Sequence, residues 1–316
     1  MENPSRKPID RTSPPARNVG ERPKGAKRFS LRKPAVRLSL YAVVLLLILG
    51  SCVERIERFF IYQPAREIFL TPGDRGVPFE DVRFQASDGV KLHGWFVPAR
   101  AGGTAAGRTP TLTWVHGNGG NLSHRVDNIA LLHQKVTANV FIFDYRGYGR
   151  SEGTPSEEGT YRDAEGAVRY LLSRKDVDRD RLVHFGRSLG ASVALEETLR
   201  RPPAGLILES PFTSVGAMAK KLYVVPIGRY MKTKYDNLSK IKKIRLPLLV
   251  LHGDRDGIVP FSMGKTLFEA ANGPKAFYVI QGAGHNDTYA AGGEAYFQRL
   301  DAFIRKLFTA DGSAGG

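Results

Sequence analysis

Leu182-Val-His-Phe-Gly-Arg-Ser-Leu-Gly-Ala-Ser-Val-Ala-Leu195 decides the fold. A short, largely apolar run, Leu182–Phe185, breaks at Gly186-Arg187-Ser188-Leu189-Gly190, and a helical pattern then runs on through Leu199. The order is strand, sharp turn, helix. Small residues on both sides of Ser188 let the backbone turn tightly, and Ala191 adds another where helix and strand approach. A serine so placed stands at the rim of a sheet, where a strand ends and a helix begins.

Short apolar runs alternate with helical patterns on both sides of this turn. The runs are Thr111–Val115, Asn139–Phe143, Arg181–Phe185, Ala204–Leu208, Leu246–Leu251 and Ala276–Ile280. Continuous apolar runs suit strands buried on both faces, as in a parallel sheet. Between them, Tyr161, Ala164, Val168, Leu171 and Leu172 keep helical spacing, as do Phe297, Leu300, Phe303, Ile304 and Leu307 near the end. Upstream, Glu80–Gln85 and Val90–Pro98 alternate around Ser87-Asp88-Gly89, a hairpin signal. Together they predict an α/β domain over residues 79–310, with helices on both faces of a mostly parallel sheet. No repeat at a solenoid period interrupts the pattern, and residues 311–316 read as a flexible tail.

The chain has 316 residues and a net charge of +16. That length fits one domain of about 230 residues with an N-terminal extension. The charge first suggests nucleic acid or an anionic surface. It is uneven: eleven Lys or Arg in residues 1–37 face only Glu2, Asp10 and Glu21, so half the excess lies in the tail. No zinc-finger, RNA-recognition or helix-turn-helix signature accompanies it, which argues against a nucleic-acid partner. Residues 1–37, rich in Pro, Arg, Lys and Ser, read as disordered.

Residues 38–53 then carry no charge. A spanning helix needs about 20 residues, so this segment is slightly short, and its basic flank and small-residue end also suit a secretory signal. Leu49-Gly50-Ser51-Cys52 matches the bacterial lipoprotein box, with Cys52 as the lipidation candidate, though Cys52 comes late in the chain. Both readings, uncleaved anchor and lipoprotein, place the domain on the outer side of a membrane, because the basic flank stays inside. Residues 54–78 read as a connector. With Cys52 the only cysteine, no disulfide forms within the chain, and nothing points to a metal or an organic cofactor.

Gly-x-Ser-x-Gly occurs twice, and with 34 glycines roughly 0.2 matches arise by chance, so context must choose between them. Gly149-Arg-Ser151-Glu-Gly153 lies in a loop followed by Thr154-Pro155, which cannot begin a helix directly. Ser151 reads as a turn residue and Ser188 as the nucleophile. A hydroxyl needs a base to take its proton, and the base needs an orienting acid. His285, in Gln281-Gly-Ala-Gly-His-Asn-Asp287 after the last strand, is the candidate base. In Leu251-His-Gly-Asp-Arg-Asp-Gly-Ile-Val-Pro260, Asp256 is the candidate acid, Asp254 the candidate turn cap, and Glu209 a remote alternative. His116 and His252 each start a turn at a strand end and read as structural. After the first buried strand, Trp114-Val-His-Gly-Asn-Gly-Gly-Asn121 lacks any phosphate-loop pattern. Its glycines suit close approach of backbone N–H groups to a reacting carbonyl. The N–H groups of Asn118, with Gly119 as alternative, and of Leu189 are the candidate oxyanion donors.

These motifs, HGNGGN, DYRGYGRSEG, GRSLGAS, ESPFTS, LHGDRDGIVP and GAGHND, resemble the BEM46/ABHD13-like branch of the α/β-hydrolases in order and over about residues 60–310. The resemblance implies an eight-stranded hydrolase sheet with a short lid insert and an N-terminal membrane anchor. It implies Ser188, Asp256 and His285 as triad, with Asn118 and Leu189 as oxyanion donors. It supplies no substrate.

The insert, residues 213–244, carries Lys220, Lys221, Arg229, Lys232, Lys234, Lys240, Lys242 and Lys243 against Asp236 alone, with Tyr223, Tyr230 and Tyr235 interleaved. It reads as a solvated basic face, or as a patch for anionic lipid or an anionic substrate. The expected activity is cleavage of acyl esters or thioesters, lipid-like ones included, by a serine hydrolase. Amide cleavage and a silent, membrane-anchored scaffold are the alternatives. Serine rather than aspartate at the turn argues against dehalogenase chemistry. Asn121, Asn237 and Asn286 begin formal glycosylation sequons that read as chance.

Overall fold

The computed structural model describes residues 39–41, 54–100, 108–222 and 231–309. The chain divides into two compact units, Met1–Leu49 and Gly50–Gly316. In the first, only the helical residues 39–41 are described. Cys52, most of the apolar segment 38–53, the tails and residues 223–230 of the insert lie outside the described residues. Among the described residues, no helix is long and apolar enough to cross a membrane.

The second unit is built on eight strands: β1 (Glu80–Gln85), β2 (Lys91–Val97), β3 (Thr111–Val115), β4 (Asn139–Asp144), β5 (Leu182–Arg187), β6 (Gly205–Glu209), β7 (Leu248–Gly253) and β8 (Lys275–Ile280). They form one sheet in the order β8-β7-β6-β5-β3-β4-β2-β1. The six strands from β8 to β4 pair in parallel. The hairpin β1–β2 joins antiparallel to β4. Its turn uses Gly89 at φ 85°, in the left-handed region open to glycine.

Helices pack on both faces of the sheet, among the described residues α1 (Val126–Lys135), α2 (Glu157–Ser173), α3 (Leu189–Arg200), α4 (Val215–Leu222), α5 (Asn237–Ile241), α6 (Phe261–Ala270) and α7 (Thr288–Phe308). Strand residues alternate between two cores, as a period of two requires. Leu112, Trp114, Val140 and Ile142 join the residues of α1 and α7. Phe141, Phe143, Leu206 and Leu208 join those of α2, α3 and α6 on the other face. The eight-stranded α/β sheet, the hairpin and the helical segments thus stand as the sequence predicts.

Two sequence expectations change in detail. Tyr235 is fully buried, not on a basic face; its hydroxyl lies 2.9 Å from the Tyr62 hydroxyl and 2.8 Å from Thr160 Oγ1. Lys240 is half-buried and paired with Glu196 at 2.8 Å. The connector is also more than a spacer. Tyr62 and Val77 enter the two cores, and Gln63–Pro64 pairs in parallel with Gly119–Gly120.

Candidate active site

Three strand ends converge at Ser188. β5 ends at Arg187, and α3 begins at Leu189, so one residue makes the turn. That residue takes φ 54° and ψ −117°, strained for a side chain with a Cβ. The flanking glycines make the turn possible. A Cβ on Gly190 would lie 1.9 Å from Val115 O, and one on Gly186 would lie 2.4 Å from Gly190 O. The Ser188 N–H donates to Glu209 O at 2.9 Å, which ties the turn to the end of β6.

His285 follows β8 and Asp256 follows β7. His285 Nε2 lies 3.0 Å from Ser188 Oγ, and Nδ1 lies 2.7 Å from Asp256 Oδ2. A ring protonated at Nδ1 donates to the carboxylate and accepts from the hydroxyl. All three side chains are nearly buried. Burial alone would raise the Asp256 carboxyl, but contacts with His252 and His285 and the Val259 N–H hold it well below the usual carboxylate range. Its other oxygen accepts the N–H groups of Ile258 and Val259 at 2.9 and 2.8 Å, so the carboxylate is fixed as an acceptor.

The other candidates lie elsewhere. Asp254 is exposed and caps a turn, accepting the Gly282 N–H at 2.7 Å. Ser151 is buried away from these residues, with its hydroxyl between Asp144 O at 2.7 Å and the His93 N–H at 2.9 Å. His252 Nε2 contacts Val259 O at 3.1 Å, with Asp256 Oδ2 at 3.4 Å. His116 packs on Tyr145, and its Nε2 is 3.5 Å from Asp144. Asn121 and Asn237 are buried and hydrogen-bonded, so their sequons are closed to glycan.

Glu209 does not reach the histidine. Its carboxylate accepts Arg187 Nε at 3.0 Å, the Thr288 hydroxyl and the Tyr296 hydroxyl at 2.6 Å, all buried. The same Arg187 guanidinium donates to His285 O and, at 3.4 Å, to Asn286 Oδ1. A buried ion pair therefore holds the backbone of the histidine loop. Sequence reading missed this pair, and the available signal was a charge at the end of each of two buried runs, Arg187 and Glu209.

The glycine loop after β3 lies against the turn: a Cβ on Gly117 would sit 3.6 Å from Ser188 Cβ. Asn118 is clamped from three sides. Its carbonyl accepts the Tyr148 hydroxyl at 2.8 Å and the Gln63 N–H at 3.3 Å, and its side chain donates to Ile61 O at 3.0 Å. Among the described residues, neither the Asn118 nor the Leu189 N–H has an acceptor. Arg125 donates to Gly119 O in the same loop. Among the described residues, no group of three His, Cys, Asp or Glu could hold a metal.

Comparison with known proteins places this arrangement. The family model described as serine aminopeptidase S33 matches residues 109–238. An uncharacterized protein of Mycobacterium tuberculosis is 35% identical over 254 residues, which cover 78% of this chain and 89% of that protein. The alpha/beta hydrolase domain-containing protein WAV2 of Arabidopsis thaliana is 35% identical over 258 residues, with 75% and 82% covered. Protein bem46 of Schizosaccharomyces pombe is 32% identical over 249 residues, with 77% and 82% covered. Among solved structures, an esterase of Pyrococcus furiosus superposes with a TM-score of 0.63 at 22% identity, covering 78% of this chain and 98% of that one. Sheet order, turn geometry and these relatives agree: the chain belongs to the α/β-hydrolase superfamily, in its bem46-like branch.

Proposed function

We propose that this hydrolase is a serine enzyme that cleaves carboxylic esters or thioesters through an acyl-serine intermediate, tethered to a membrane by residues 38–53 with its catalytic domain outside. One observation carries the chemical reading: the hydrogen-bonded line from Ser188 Oγ through His285 to Asp256 at three strand ends. His285 takes the hydroxyl proton as Oγ bonds the acyl carbon. The Asn118 and Leu189 N–H groups, free of other acceptors, stabilise the oxyanion, with donors of this kind worth about 3 kcal/mol each. Collapse breaks the bond to the alcohol or thiol, which leaves with the proton from His285. Water then repeats the sequence on the acyl-serine, releasing the acid and restoring the hydroxyl. Asp256 keeps the ring oriented and steadies its positive charge.

Labelling with a fluorophosphonate probe tests this directly. Wild type and Ser151→Ala should label, and Ser188→Ala should not. An unlabelled, folded wild type would return the chain to the silent-scaffold reading. The description of the matching family model favours a second reading, amide cleavage by the same residues. Matched acyl p-nitrophenyl esters and aminoacyl anilides separate the two by their kcat/KM ratio.

A further inference from the structure

The connector helix over residues 54–61 presents two different faces. Ile56, Phe59 and Phe60, spaced i, i+3 and i+4, share one side and are 57%, 76% and 58% exposed. They are among the largest exposed apolar side chains of the described residues. Glu57 and Ile61, also four apart, share an inward face. Glu57 is buried and accepts the N–H groups of Lys232 and Thr233 at 2.7 and 3.0 Å. Ile61 packs on the core, and its carbonyl holds the Asn118 side chain.

Beside Phe59 runs an open groove lined by Arg55, Arg58 and Arg66 together with Pro64 and Pro155. The uncharged segment 38–53 ends one residue before the helix. An apolar stripe flanked by arginines, directly continuous with an apolar stretch of chain, has the chemistry of a helix lying in a membrane interface. We infer that Ile56, Phe59 and Phe60 insert at the headgroup–acyl boundary of an anionic bilayer, with the arginine groove over headgroup phosphates. The inference rests on the tethering and acyl-hydrolase reading and adds a substrate class. Through Glu57 and Ile61 the same eight residues hold residues 232–233 and the oxyanion loop, so the site stands at the lipid surface and takes acyl esters from it.

The test uses the full chain in mixed phosphatidylcholine–phosphatidylglycerol vesicles doped with brominated lipid. The two native tryptophans, Trp95 and Trp114, are fully buried and give a constant background. Phe59→Trp places a reporter on the stripe. Ala302→Trp places one at the opposite end of the sheet, where Ala302 lines a cavity with residues that precede β6, β7 and β8. Both positions are exposed, so neither replacement disturbs packing. The inference expects blue-shifted emission from the residue-59 reporter and its loss to bromine quenching, with the residue-302 reporter unchanged. Equal emission from the two reporters on chains that float with the vesicles would overturn the interface while leaving the tether. Chains that do not float at all would overturn both.

Discussion

At Ser188 the backbone stores strain of about 1–3 kcal/mol, the usual cost of such a conformation away from glycine. The bond to Glu209 O and the close approach at Gly190 hold it there. The two carboxylates nearby differ in what they hold, so their removal should separate chemistry from stability. Asp256→Asn keeps an oxygen for the Ile258 and Val259 N–H groups but loses the carboxylate that orients His285. Ester-hydrolysis kcat should fall by about 10⁴, with little change in thermal melting. A kcat within tenfold of wild type would sink the assignment. Glu209→Gln leaves Arg187 buried without its charge partner, so urea unfolding should show a loss of about 3–5 kcal/mol. Sequence order alone ranked both carboxylates as possible acids. Only the fold shows that Asp256 faces His285 while Glu209 faces Arg187.

Among the elements, the strands were legible as apolar runs to within one or two residues. β5 and β6 extend beyond their runs to Arg187 and Glu209 because these charges pair inside the protein, and hydrophobicity is blind to that. Helix α3 hides a similar case. Glu197 is buried, neither carboxylate oxygen has a hydrogen-bond partner, and burial pushes its pKa from the usual 4.5 up to about 7. The folded state therefore favours the neutral acid. Stability is highest below the unfolded value and falls as pH rises toward and through 7, by about 3 kcal/mol at pH 8. Glu197→Gln should remove that loss, giving a higher melting temperature than wild type at pH 8 and a similar one near pH 4. Parallel melting curves across pH would show that Arg201, 4.0 Å away, already neutralises the charge.

For the whole molecule, the mostly parallel sheet and the three site residues could be anticipated because the strands are apolar runs and each site residue follows one at a strand end, whereas the strand order could not. Nor could the role of residues 54–67, because one short helical turn pattern, Ile56, Phe59 and Phe60, followed by a mixed polar stretch gives no sign of which surface it docks on. Yet this stretch fastens the loop after β3 through Gln63, Ala65 and Asn121, and the end of the insert through Glu57 and Tyr62. The insert's basic residues face the same question of partner. Lys240 is paired with Glu196. Lys220, Lys221 and Lys234 are among those that remain exposed, with no ion pair among the described residues. If these three attract an anionic substrate, the attraction acts through water and must be screened by salt, since the Debye length falls from about 10 Å at 0.1 M to about 3 Å at 1 M. Reversing all three to Glu should raise KM for an anionic acyl ester roughly 3- to 10-fold at low salt and leave a neutral ester of equal chain length unchanged. At high salt the difference should vanish. An equal rise for both esters would mean that the lysines support the shape of the insert and not the recognition of charge.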